Sequence, residues 1–170
     1  MADRRAGFGT HRHELEVIAG MVPHGARVLD LGCGDGQVLA YLVQNRAAVA
    51  RGVEIDGDRV RAAIARGLSV YHGDMLECMR FYSECYFDVV LCSQTLQEVA
   101  RPAEAFREML RVGRRVIVGF LNYGYWRNRL WFLCAGKKPK SEALPHDWHN
   151  TPDIHPLTIR EFEAFCDGER

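Results

Sequence analysis

Apolar residues in this chain recur in two rhythms that alternate along its length. Short runs rich in β-branched residues, RVLDLG (27–32), VARGVEI (49–55), LSVYHG (68–73), FDVVLCS (87–93) and RVIVGFL (115–121), have the length and composition of buried strands. Between them the apolar positions move to helical spacing. Val38, Leu39, Leu42 and Val43 fall on one face after the first run, and Val60, Ala63 and Ile64 do so after the second, with Gly67 placed to stop that helix. Pro102 opens a helix that carries Phe106, Met109 and Leu110 inward. A leading helix holds Leu15, Ile18 and Met21 or Val22, while Thr158-Ile159-Arg160-Glu161 has capping-box spacing ahead of Phe162 and Phe165. The order βα, βα, β, βα, β predicts an α/β fold with a doubly wound, mostly parallel sheet covered on both faces.

Residues 122–157 break both rhythms. Tyr123, Tyr125, Trp126, Trp131 and Trp148 are interleaved there with Arg127, Arg129, Lys137, Lys138 and Lys140, and only a helix from about 126 to 134, ended by Gly136, is legible. The organisation expected is one domain over 1–170: a cofactor-binding core over 10–121, an aromatic and basic loop with a short helix over 122–157, and a C-terminal helix over 158–166. The 22 basic residues balance the 22 acidic ones, so no whole-molecule field draws the chain to nucleic acid or to an anionic membrane. The five cations of 122–157 read as a solvated face or a protein contact rather than an RNA tract. With no eighteen-residue apolar run and no apolar leader, a soluble cytoplasmic protein is expected. Cys33, Cys78, Cys85, Cys92, Cys134 and Cys166 form no C-x-x-C pair and read as reduced thiols. His146, His149 and His155 lack the spacing of a metal motif and read as packing residues, so no metal is expected.

The chemistry concentrates where the first strand gives way to a helix, at Asp30-Leu31-Gly32-Cys33-Gly34-Asp35-Gly36. Glycines there permit a tight turn and let a ligand approach the backbone, and the helix N-terminus offers unpaired N–H groups to an anion. Read as G-x-G-x-x-G from Gly32, the third place holds Gln37, an imperfect dinucleotide fingerprint. Glu54, ending the second strand, is placed to accept ribose hydroxyls, and Asp74, ending the third, supplies another acceptor. Parallel strands bring Asp30, Glu54 and Asp74 to one carboxyl edge. An acid-lined pocket repels a pyrophosphate and suits a cation, which favours S-adenosylmethionine or S-adenosylhomocysteine. Cys33, Ile55, Met75 and Ser93 complete the expected cofactor-binding set with Gly32, Gly34 and Gly36. Taken singly, each acid could merely cap a turn. No catalytic residue is legible: Ser93-Gln94-Thr95-Leu96-Gln97 offers no clamp for a methyl acceptor, and Cys92 reads as a core thiol.

RVLDLGCGDG, GVEID, HGD and FDVVLCSQTLQ together resemble the Rossmann-like class I methyltransferase fold. Joined by Arg101-Pro102, EMLRVGRR (108–115), FLNYGYWRNR (120–129), LPHDWHNTPDIH (144–155) and TIREFEAFC (158–166), they resemble the methionine-biosynthesis family MetW over residues 15–166. The resemblance implies that Asp30, Gly32, Gly34, Glu54 and Asp74 hold the cofactor. It also implies an accessory, activating subunit of homoserine O-acyltransferase; the alternative is a methyltransferase acting on a small molecule, and a structural partner with a vestigial pocket is a third possibility. Against that fold the C-terminal strand pair is missing, which leaves RVIVGFL as an unprotected apolar edge strand. A homodimer or docking onto the acyltransferase through the aromatic loop would cover it.

Overall fold

A computed structural model describes residues 5–137, 144, 151 and 155–169, with side chains from residue 13 onward. Five strands form one sheet: β1 (Arg27–Leu31), β2 (Val49–Glu54), β3 (Ser69–His72), β4 (Val89–Ser93) and β5 (Val116–Gly119), in the order β3-β2-β1-β4-β5. β1 pairs in parallel with both β2 and β4, and β2 in parallel with β3. Strand order reverses at β1, and the carboxyl ends of strands at such a reversal are where sheets of this kind bind ligands. The helices are α1 (Arg5–Met21), α2 (Gln37–Arg46), α3 (Gly57–Ala65), α4 (Met75–Met79), α5 (Pro102–Val112), α6 (Trp126–Ala135) and α7 (Ile159–Gly168), with a 3-10 turn at Leu96–Glu98.

The chain divides into two compact units, Met1–Cys92 with Glu108–Ile117, and Ser93–Arg107 with Val118–Arg170. In the first, Ile18, Ala19 and Val22 pack with Leu42 of α2 and with Val28, Val89 and Leu91 of the sheet. Val28, Leu29 and Leu31 are fully buried, each contributing about 1.5–3 kcal/mol of burial. Gly52 has no room for a side chain: a Cβ there would stand 2.5 Å from Cys33 Sγ and 2.9 Å from Leu39 Cδ1. That glycine lets the turn after β1 fold down against β2.

The helical faces are narrower than the sequence pattern suggests. Leu39, Leu42, Val60, Ala63, Phe106 and Met109 are buried as expected, but Val43, Ile64 and Leu110 are exposed. Each of the three follows a buried residue directly, and the 100° step of a helix rotates it off the contact face. At the end of α1, Val22 is buried and Met21 is not. α4 was not expected; Asp74 caps it, and Met75, Leu76, Cys78 and Met79 are all buried.

In the second unit, Gln97 is 1% exposed and fully engaged: its Nε2 donates to the Leu121 carbonyl at 3.2 Å and the His155 carbonyl at 3.3 Å, and its Oε1 accepts from Leu121 N at 2.7 Å. Phe162 of α7 packs on Phe106 and Phe120, with ring centroids 5.6 and 5.1 Å apart. The capping box at Thr158 and Glu161 forms with both reciprocal bonds, and Arg107 makes a bidentate pair with Glu169. α6 ends at Gly136, left-handed at φ +62°, and none of its residues is buried. β5 is an edge strand as expected, yet its four residues are half-buried rather than bare. Just beyond it, Asn122 bridges Leu157 in parallel, and Tyr123 N donates to the Leu157 carbonyl at 3.0 Å. All six cysteines are free, and no described helix is long and apolar enough to cross a membrane.

Candidate functional site

The turn after β1 is held by its own backbone and by β2. Gly32 N and Cys33 N both donate to the Val53 carbonyl, at 2.8 and 3.0 Å, and Gly36 N closes the turn onto the Cys33 carbonyl at 3.0 Å. Gly34 and Gly36 both sit in the left-handed region, at φ +57° and +79°, for different reasons. A Cβ on Gly36 would run into Leu68 Cδ1 and lie 3.2 Å from Ala63 Cβ, so this glycine serves packing. A Cβ on Gly34 would meet nothing within 4 Å, so this glycine borders open space.

Glu54 latches that turn. Its Oε2 accepts from Gly34 N at 2.9 Å, and its Oε1 accepts from Ile55 N at 2.8 Å and Asp56 N at 2.9 Å. The carboxylate is therefore satisfied at three of its roughly four acceptor positions although the residue is only 5% exposed. The sequence placed Glu54 at a ribose; the structure adds that it organises the loop, with one acceptor position left on Oε2.

Asp30 is the opposite case. It is 2% exposed, stands between Gly52 of β2 and Leu91 of β4 in register, and its carboxyl has no hydrogen-bond partner among the described residues. Burial, and then the charge of Glu54, push its pKa up to about 7. The Cys33 thiol is pushed up to about 12, first by burial and then by the charges of Asp30 and Glu54, which marks the three groups as one cluster and makes the thiol a poor nucleophile. Asp35 differs again. Burial pushes its carboxyl up, but the hydrogen bond from Gln37 Nε2 at 3.0 Å and the charge of Arg66, whose Nη2 lies 2.8 Å away, outweigh this and hold it below the usual carboxylate range.

Asp74 behaves as a cap on one side: its Oδ1 accepts from Leu76 N and Glu77 N at 2.8 and 3.2 Å, and its Oδ2 has no partner among the described residues. The end of β3 is tied to that of β2, since Gly73 N donates to the Glu54 carbonyl at 3.0 Å. Beside Glu54, Ile55 presents an aliphatic side chain that is 71% exposed, and Met75 is buried at the start of α4. Ser93 ends β4 and lies in the second unit, where a Cβ on Gly119 would come within 2.9 Å of its Oγ. Asp30, Gly32, Cys33, Gly34, Gly36, Glu54 and the Asp74–Met75 step all lie at the carboxyl ends of β1, β2 and β3; Gly52, which the turn packs against, gave no signal beyond a glycine inside a strand pattern.

His155 holds backbone. Its Nε2 lies 3.1 Å from the Val99 carbonyl, which can only accept, so that nitrogen carries the proton. Among the described residues no group of three His, Cys, Asp or Glu side chains is placed to hold a metal ion, and His146 and His149 lie outside those residues.

A buried acid without a hydrogen-bond partner among the described residues thus stands beside an open-sided glycine turn at the switch point of the sheet. The family model described as methionine biosynthesis protein MetW matches residues 12–170. The bifunctional methionine biosynthesis protein MetXA/MetW of Rhodopirellula baltica is 35% identical over 155 residues, covering 86% of this chain and 25% of that protein, so the chain spans a quarter of this relative's length. Among solved structures, a SAM-dependent methyltransferase from Archaeoglobus fulgidus superposes with TM-score 0.70 at 16% identity, over 95% of this chain and 67% of that one. A SAM-dependent methyltransferase from Thiobacillus denitrificans in complex with S-adenosyl-L-homocysteine does so with TM-score 0.51 at 20% identity, over 62% of this chain and 47% of that one. With the fold of these methyltransferases and a family match over nearly its whole length, the chain belongs to the MetW family of methionine-biosynthesis proteins.

Proposed function

We propose that this protein binds S-adenosylmethionine or S-adenosylhomocysteine at the carboxyl edge of β1, β2 and β3, and serves methionine biosynthesis as an accessory, activating subunit of homoserine O-acyltransferase. The observation that carries the ligand assignment is Asp30, a buried carboxyl with no hydrogen-bond partner among the described residues, next to Gly34 with its open side and Glu54 with one acceptor position left. In this reading the ligand's ammonium pairs with Asp30, and its carboxylate faces the Gly32–Gly36 turn at the start of α2. Glu54 accepts from the ribose. Ile55 and Met75 supply apolar contact for the adenine, whose amino group donates to Asp74 Oδ2. When bound, S-adenosylmethionine supplies a sulfonium methyl group; the chain's own residues bind and orient it, and no described side chain is arranged as a base for an acceptor.

Support for the partnership comes from the Rhodopirellula relative, in which MetXA and MetW share one polypeptide. The exposed aromatics of α6, Trp126 at 62% and Trp131 at 49%, stand with Arg127 and Arg129 on a helix that buries nothing, and those residue types are enriched at interface hot spots. Calorimetric titration with each ligand, followed by sedimentation with homoserine O-acyltransferase, tests both halves. Saturable binding of at least one ligand and co-sedimentation are expected. Absence of binding removes the ligand assignment, independent sedimentation removes the partnership, and turnover of labelled methyl groups onto a small acceptor establishes an enzyme in place of a subunit.

A further inference from the structure

We propose that Asp30 keeps its proton in the ligand-free protein and releases it to solvent when a ligand ammonium binds beside it, so that binding is coupled to the loss of one proton. This rests on the assignment of the site to an adenosyl amino acid and adds a linkage which that assignment does not contain.

Two neighbouring acids are treated unequally. Glu54 receives three backbone N–H groups, from Gly34, Ile55 and Asp56; Asp30 receives none. Both are buried, and the negative charge of Glu54 disfavours ionisation of Asp30. The other titratable groups of the turn are Cys33 and Asp35, and Asp35 is already paired with Arg66. The positions flanking Asp30 on the neighbouring strands, Gly52 and Leu91, carry no charge, and α2 is uncharged from Gln37 to Asn45. No basic group among the described residues compensates Asp30, so the proton does that work until a cation arrives. On binding, the carboxyl O–H bond breaks, the proton passes to water or buffer, and the carboxylate pairs with the ammonium. Nothing is oxidised or reduced. A ligand that keeps the adenosine but lacks the amino acid leaves the proton in place.

The test is calorimetry on the full chain with S-adenosylhomocysteine in two buffers of different ionisation enthalpy, phosphate and imidazole, and the same titrations with 5′-methylthioadenosine. For a carboxyl that titrates near pH 7 in the free protein, about 0.9 proton is released per ligand at pH 6, falling to about 0.1 at pH 8. S-adenosylhomocysteine affinity rises roughly tenfold over the same interval. Methylthioadenosine shows neither effect, and Asp30→Asn abolishes the release. A buffer-independent heat with S-adenosylhomocysteine overturns the proposal and leaves the ligand assignment standing, whereas no binding of either molecule overturns the assignment itself. Thermal melting of the free protein supplies a readout that needs no ligand. The folded pKa of Asp30 lies above its unfolded value, so its stabilising contribution is complete below the usual carboxylate value of 3.8 and is lost as pH rises through about 7. The melting midpoint therefore falls between pH 5 and pH 8 in the wild type and less steeply in Asp30→Asn; identical slopes overturn the proposal.

Discussion

Buried polar groups are handled differently in the two units. In the second, buried Gln97 uses its amide oxygen and its amide nitrogen on backbone, and half-buried His155 turns its Nε2 to Val99. At the carboxyl edge of the first, Glu54 is nearly saturated by backbone donors while Asp30, two residues before Gly32, has no hydrogen-bond partner among the described residues. A satisfied buried network fixes a conformation. A buried acid left unsatisfied raises the free energy of the empty state, and that cost is recoverable only by something outside the chain. The contrast sets the proposed site apart from the scaffold.

Three substitutions break or sharpen that contrast. The largest effect is expected from Glu54→Ala, which strips three backbone donors of their acceptor and opens the latch on Gly34. Fold stability should drop by about 3 kcal/mol, with relief of the charge beside Asp30 returning part of the loss, and ligand affinity should fall at least a hundredfold. Urea unfolding and calorimetry measure the two separately; retained affinity would take Glu54 out of the site. Next comes Gln97→Ala, which leaves the Leu121 N–H without its acceptor and should cost about 2 kcal/mol of stability. Ligand affinity of the folded protein should stay within twofold of wild type. Loss of binding comparable with that of Glu54→Ala would dissolve the distinction between scaffold and site. Smallest is Thr158→Ala, which removes one side of the capping box and should lower stability by about 1 kcal/mol, read from the urea midpoint, with no change in binding.

All five strands were legible, each to within two residues at either end, because β-branched runs bounded by glycine and charge allow few other readings. α4 was not legible. Five residues complete little more than one turn, so Met75, Leu76, Cys78 and Met79 show no helical period, and Asp74, which caps them, reads equally well as a ligand residue. Val43, Ile64 and Leu110 were misassigned to the core because an apolar residue beside a buried one resembles a wider face. At the site, the turn and its acids were visible in the spacing alone. What separates Glu54 from Asp30 was not, since it depends on where three backbone N–H groups point. Gln97 was invisible for a related reason: glutamine is usually exposed, and its partners Leu121 and His155 lie 24 and 58 positions away.

The thiol at the centre of the acid cluster has a practical consequence for chemical labelling. Of the six free cysteines, Cys85 and Cys134 are exposed, while Cys33, Cys78 and Cys92 are buried. Alkylating reagents attack thiolates, and Cys33 sits behind both a steric barrier and the field of two carboxyl groups that holds its proton. A maleimide dye will therefore modify Cys85 and Cys134 first and leave the glycine turn untouched, so fluorophores can be placed without disturbing it. In a variant with Cys85, Cys134 and half-exposed Cys166 changed to serine and buried Cys78 and Cys92 to alanine, slow modification of Cys33 becomes a clock for opening of the turn, and a ligand that holds the turn shut will make that clock run slower.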